Sequence, residues 1–215
     1  MPDALTIALL LVPAVLAVTV HEVAHGWVAL QLGDDTAQAG GRLSLNPLRH
    51  VDPIGTLAVP ALLYFVSQKV FGSPLIFGWA RPVPVDWTRL EPRGAGVALV
   101  AAAGPIANLG MAAGWLLLAL VLRHTPADSA FLIYLCEAGI MFNAAIMIIN
   151  LIPIPPLDGS RIVSSLLPHA WATYYNRLEG YGLLLVALLV VSGLLGRMVG
   201  PLLGGLGRTL RTLGL

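Results

Sequence analysis

Two histidines and a glutamate stand together at His21-Glu22-Val23-Ala24-His25, directly after the apolar run from Ala4 to Val20. On a helix, residues four apart lie about 40° apart around the axis, so both imidazoles share one face, one turn apart. Two ring nitrogens on one face can hold one metal ion. Glu22 beside them can serve as the base for a water at that metal. With five His and four Glu in 215 residues, random order yields about 0.002 such motifs. The plainer alternative is a polar patch facing an aqueous vestibule. Three ionisable groups in an apolar run argue against it, because a charge at bilayer depth costs about 2.5–3.5 kcal/mol.

A catalytic zinc site typically has three protein ligands and one open position. The single cysteine, Cys136, excludes a Cys-based zinc site and an intrachain disulfide framework. The third ligand must then be a histidine or a carboxylate. Candidates in or near apolar segments are His50, Glu137, Asp158, His124 and His169. Asp158 follows the rigid series Pro153, Pro155, Pro156 and precedes Gly159, which permits an unusual turn, so its carboxylate would be held at a fixed point. The same aspartate is equally suited to cap the helix that follows it. Spacing alone leaves both roles open.

The elements that must position these residues are membrane elements. Charged residues make up 11% of the chain, apolar residues 57%, and mean hydropathy is +0.84. Soluble domains carry about 25% charged residues, so lipid must solvate much of this surface. A net charge of +1 with scattered basic residues gives no footprint for nucleic acid. The N-terminus has Asp3 and no basic region, which argues against a cleaved signal peptide.

We expect a single all-α integral membrane domain over residues 1–215, with about five to six spans. The spans run from Ala4 to Leu32, Ile54 to Val70, Gly94 to Leu122, Ala130 to Ile152 and Gly180 to Val199. A short helix follows Ser160, and Gly200 to Leu215 reads as an amphipathic surface tail. Residues 41–45 alternate like a short strand. Residues 78–85, with Pro82 and Pro84, read as an extended re-entrant or interfacial loop. Either segment could pair with an unwound substrate strand. Six Lys and Arg fall on each side, so charge sets no orientation.

The His21–His25 motif, taken with Asn150-Leu-Ile-Pro-Ile-Pro-Pro-Leu-Asp158-Gly159, resembles the site-2 protease family of intramembrane zinc metalloproteases. Gly41–Gly55, Gly78-Trp-Ala-Arg-Pro-Val-Pro84 and Gly104-Pro-Ile-Ala-Asn108 are similar to the family's short prokaryotic form, which lacks PDZ and CBS domains. The resemblance covers about Val20 to Arg161. It implies one zinc ion held by His21, His25 and Asp158, with Glu22 as general base, in a multi-pass protein of the prokaryotic cell (inner) membrane. The implied substrates are membrane proteins, single-span helices already cut once among them, met within the lipid bilayer.

Three further residues enter as expectations. Asn150 is a candidate for holding the oxyanion through its amide, or for capping its helix. Asn108 could bind substrate backbone or a neighbouring helix, the latter favoured by its setting. His50 could hydrogen-bond the metal ligands or act as a transient extra ligand, although a hydrogen-bonded turn is the commoner role for such a residue. The competing reading is a non-catalytic zinc scaffold or a metal transporter. Transporters spread ligands along several helices, often with internal repeats, and have no evident use for Glu22.

Overall fold

The computed structural model describes residues 4–59, 78–124 and 130–215, together with Leu62, Tyr64, Phe65 and Gln68. Its elements are all helical: α1 (Ala4–Gln31), α2 (Thr36–Ala39), α3 (Arg93–Leu122), α4 (Ala130–Asn150), α5 (Asp158–Leu166), α6 (His169–Asn176), α7 (Gly182–Val191) and α8 (Leu194–Thr212). A π-helical turn covers Pro53–Ala58. The second expected span, Ile54 to Val70, otherwise lies mostly outside the described residues.

Among the described residues, three helices are long and apolar enough to cross a membrane: Leu9–Gln31 within α1, Gly94–Leu122 within α3, and α4. Their outward faces carry bare apolar side chains such as Leu11, Leu99, Ile106, Leu117 and Phe131, as lipid-facing surfaces must. The expected span Gly180 to Val199 is not one straight helix. It breaks after Val191, and the two limbs diverge by 67°. Gly193 sits at the break with φ +71°, a left-handed conformation that stops a helix and suits glycine. Counted as one bent span, this pair brings the total to four among the described residues, below the expected five to six, with most of the expected span Ile54 to Val70 outside those residues.

The metal-motif helix α1 packs against α3 and α4, and α3 lies between α1, α4 and α5. Small residues make this closeness possible. A side-chain carbon on Gly139 of α4 would strike the indole of Trp115 on α3, and one on Gly26 of α1 would meet Leu43 and Val83.

No strand forms among the described residues. The segment 78–86 is extended, but it is bound by scattered hydrogen bonds and joins no sheet. The Trp79 N–H donates to Gly55 O (3.0 Å), the Arg81 N–H to His50 O (2.8 Å) and the Asp86 N–H to the Asp34 carboxylate (2.8 Å). Fully buried Asp34 also accepts from the Thr36 amide and hydroxyl, so one carboxylate fastens the end of α1 to this segment. Contacts in register hold the segment beside α1: Val83 N–H on Glu22, Val83 against Gly26 and Asp86 N–H on Asp34, just past the end of the helix. The two therefore run side by side. Residues 41–45 are likewise irregular, with Leu43 seated over Gly26.

Candidate metal centre

His21 and His25 are nearly buried, 5% and 9% exposed, and their ring nitrogens converge with one oxygen of Asp158. His21 Nε2 is 3.2 Å and His25 Nε2 3.4 Å from Asp158 Oδ2, and the two Nε2 atoms are 3.1 Å apart. Among the described residues this is the one group of His, Cys, Asp and Glu side chains close enough to hold a metal. Asp158 is brought there from far along the chain as the first residue of α5, where the helix dipole favours a carboxylate. It does not cap that helix: Leu157 takes the capping position, with no side-chain hydrogen bond.

The protons on both rings are fixed from behind. His21 Nδ1 donates to Asn108 Oδ1 (2.6 Å), and His25 Nδ1 donates to the carbonyl of Val100 (2.7 Å). The orientation of the Asn108 amide is itself determined, because its nitrogen donates to Ala17 O (3.1 Å) and to Asn143 Oδ1 (2.9 Å). Asn143 in turn donates to Gly139 O (2.8 Å). With both protons on Nδ1, both Nε2 atoms present bare lone pairs. Asp158 Oδ2 is buried and has no hydrogen-bond donor. Three acceptors thus face one another with no proton between them, an arrangement that only a cation makes favourable. Metal–ligand bonds of about 2.0–2.1 Å at tetrahedral angles separate ligand atoms by about 3.3 Å, matching the three distances seen. The residues present fit zinc.

Two glycines make room for the site. A side-chain carbon on Gly104 of α3 would overlap His25 Nε2 and the His21 ring, and one on Gly159 would collide with Leu151 O. Gly159 is helical rather than left-handed, so it is required for space and not for a special turn.

Glu22, next to His21 on α1, is half-buried. One of its oxygens, Oε2, accepts the N–H of Val83 (2.8 Å), while Oε1 has no hydrogen bond among the described residues. The base candidate is thereby held by backbone. This arrangement also counts against residues 78–85 as an edge for strand pairing. The N–H groups of Trp79, Arg81 and Val83 are taken up internally, and Pro82 and Pro84 have none.

The remaining expected site residues divide. Asn108 is wholly buried and supports His21, so it faces a ligand and not a substrate. Asn150 ends α4 and its side-chain amide donates back to Ile146 O (3.0 Å), one turn earlier, with no second partner for that amide among the described residues. His50 is buried in a loop, where its Nε2–H donates to Ser44 O (2.8 Å). It does not join the metal cluster. Glu137 lines a separate apolar cavity of about 420 Å³ with Leu10 and Leu203. His124 and His169 are exposed.

Four features escaped sequence reasoning: Asn143, the Val100 carbonyl, the Val83 N–H and the contact of Gly104 with the imidazoles. An amide in the apolar stretch Phe142-Asn143-Ala144 was a detectable signal, whereas backbone groups leave none in the sequence.

Comparison with known proteins agrees with this geometry. The profile of Peptidase family M50 matches residues 122–192. "Putative zinc metalloprotease YwhC" of Bacillus subtilis is 38% identical over 200 residues, covering 90% of this chain and 85% of that protein. "Putative zinc metalloprotease Rip2" of Mycolicibacterium smegmatis is 30% identical over 186 residues, covering 85% of this chain and 66% of that protein. "Putative zinc metalloprotease MJ0611" of Methanocaldococcus jannaschii is 28% identical over 120 residues, covering 56% of this chain and 58% of that protein. No solved structure is significantly similar. A motif helix with two bare imidazole nitrogens, a remote aspartate completing their set and these relatives lead to one assignment: the chain belongs to peptidase family M50, the site-2 proteases, and is a multi-pass membrane zinc metalloprotease.

Proposed function

We propose that the protein is an intramembrane endopeptidase that cuts peptide bonds within or beside transmembrane segments of other membrane proteins. The observation that carries this reading is the placement of the His21–His25 pair and Glu22 inside α1, one of the apolar spans. A water-requiring site is costly at that depth, and a substrate already in the bilayer gives it a use. His21, His25 and Asp158 are the ligands, each presenting one unprotonated atom to a common point. When bound, zinc supplies Lewis-acid polarisation of the substrate carbonyl and acidifies a water.

The rest falls to the chain itself. Asn108 and Val100 O keep the imidazoles in the Nε2-presenting form. Glu22, held through Oε2, takes the water's proton on Oε1 and delivers it to the departing amine. The second amide hydrogen of Asn150 is the candidate donor to the developing oxyanion. A transmembrane helix conceals its peptide bonds in its own hydrogen bonds, so the substrate must unwind before its carbonyl reaches the site.

The test is to co-express a tagged single-span substrate with wild type or Glu22→Gln in a host lacking related proteases. Wild type is expected to release a fragment cut within the span, and Glu22→Gln to leave the substrate whole. Equal fragment yield from both would refute the proposal. Cleavage confined to soluble loops would remove its intramembrane part.

A further inference from the structure

The stripe of α1 that carries Glu22 does not end there. Val18 and Val15, four and seven residues earlier, lie within about 40° of Glu22 around the axis, with Ala14 and Thr19 to either side. These four residues form one wall of an open pocket of about 280 Å³. The opposite wall is Gly78, Trp79 and Ala80, the start of the extended segment whose Val83 N–H holds Glu22. Pro47, His50 and Gly55 lie among the residues that close the remaining sides. At its other end the same stripe is shut, because Gly26 lies hard against Leu43 and Val83. Past Glu22 the stripe is therefore covered on one side and leads to this pocket on the other. The lining is almost wholly apolar; of its polar members, Thr56 donates to Trp79 O and His50 Nε2–H to Ser44 O, while the buried His50 Nδ1 has no partner.

We propose that this pocket is a substrate subsite. It takes one large apolar side chain of the unwound substrate, and so selects which transmembrane sequences are cut. The pocket begins one to two helical turns from Glu22, about 5–11 Å. An extended peptide covers that in two to three residues at about 3.3 Å each. The selected residue therefore lies two to three positions from the cut bond. Continuity with Glu22 through one helix stripe and one backbone segment favours a substrate side chain over a lipid tail as occupant. The inference rests on the proteolytic reading above.

The experiment uses the purified full chain in detergent with a panel of single-span substrates. Each carries Ala, Leu or Phe at one of the three positions on either side of the mapped cut. Wild type should prefer Leu or Phe over Ala by about tenfold in kcat/KM at one position, two or three residues from the cut. Ala80→Leu, which fills the pocket, should reverse that preference at that position alone, and Val18→Ala, which widens it, should strengthen the preference for Phe. Both variants should keep wild-type zinc content. An unchanged order of preference in both variants, or a uniform fall at every position, overturns the subsite. Loss of co-purifying lipid from Ala80→Leu with unchanged preference does so too, by showing a lipid occupant. A wild type that cuts no substrate in the panel overturns the proteolytic reading and the subsite with it.

Discussion

The two sides of the histidine pair are built on different principles. Behind it, toward α3 and α4, every polar atom has a partner: Asn143 fixes Asn108, Asn108 fixes His21, and a backbone carbonyl fixes His25. Asn108 and Asn143 are both wholly buried, and Gly104 leaves no space between helix and ring. In front, toward the 78–86 segment, one N–H holds one oxygen of Glu22, the other has no hydrogen bond among the described residues, and a cavity opens one to two turns along the helix. The rear holds metal ligands that must not move. On the proposed reading, the front holds the group that exchanges protons, with an apolar pocket farther along the same helix stripe. Rigidity and access are separated across one helix.

Changes at the rear should therefore remove metal, and changes at the front should remove turnover while metal stays. The largest expected effect is Gly104→Leu, which drives a side chain into both imidazoles. Zinc by atomic absorption and cleavage should both fall below detection. Asn108→Ala comes next, weakening zinc affinity about 10- to 100-fold by competition with a chelator. Asn143→Ala acts through Asn108, so it should weaken affinity less and add almost nothing to Asn108→Ala in a double-mutant cycle. On the front, Val83→Pro deletes the N–H at Glu22 and should lower kcat about tenfold at unchanged zinc content. Zinc loss in Val83→Pro, or zinc retention in Gly104→Leu, would break the division. The smallest effect is expected at the rim. Arg89 pairs with Asp35 and Asp86 in solvent, and Arg89→Ala should shift the thermal midpoint little, a change within about 0.5 kcal/mol.

The sequence shows the front and the ligands more readily than the rear. His21, Glu22 and His25 are read from spacing because a helix converts a four-residue interval into a shared face. Asp158 is a different case. Its local sequence allows a ligand or a cap, and only the packing of α5 beside α3 settles where the carboxylate points. The helices α1, α3 and α4 are legible from unbroken apolar length. The bend at Gly193 is not, since glycine within an apolar run is tolerated in a membrane helix and signals a break only when its φ is known. The strand expected at residues 41–45 fails because alternation alone supplies no partner, and the 78–86 segment gives its N–H groups to Gly55, His50 and Glu22 instead.

The central claim is that two Nε2 atoms and one aspartate oxygen hold the metal on α1 and α5. Zinc X-ray absorption on the purified chain tests it most directly. The expected result is two imidazole nitrogens and light oxygen scatterers at about 2.0–2.1 Å, one zinc per chain, and loss of the metal in His25→Ala and Asp158→Ala but not in Glu22→Gln. A sulfur ligand at about 2.3 Å, or full zinc occupancy after removal of both His25 and Asp158, would contradict it.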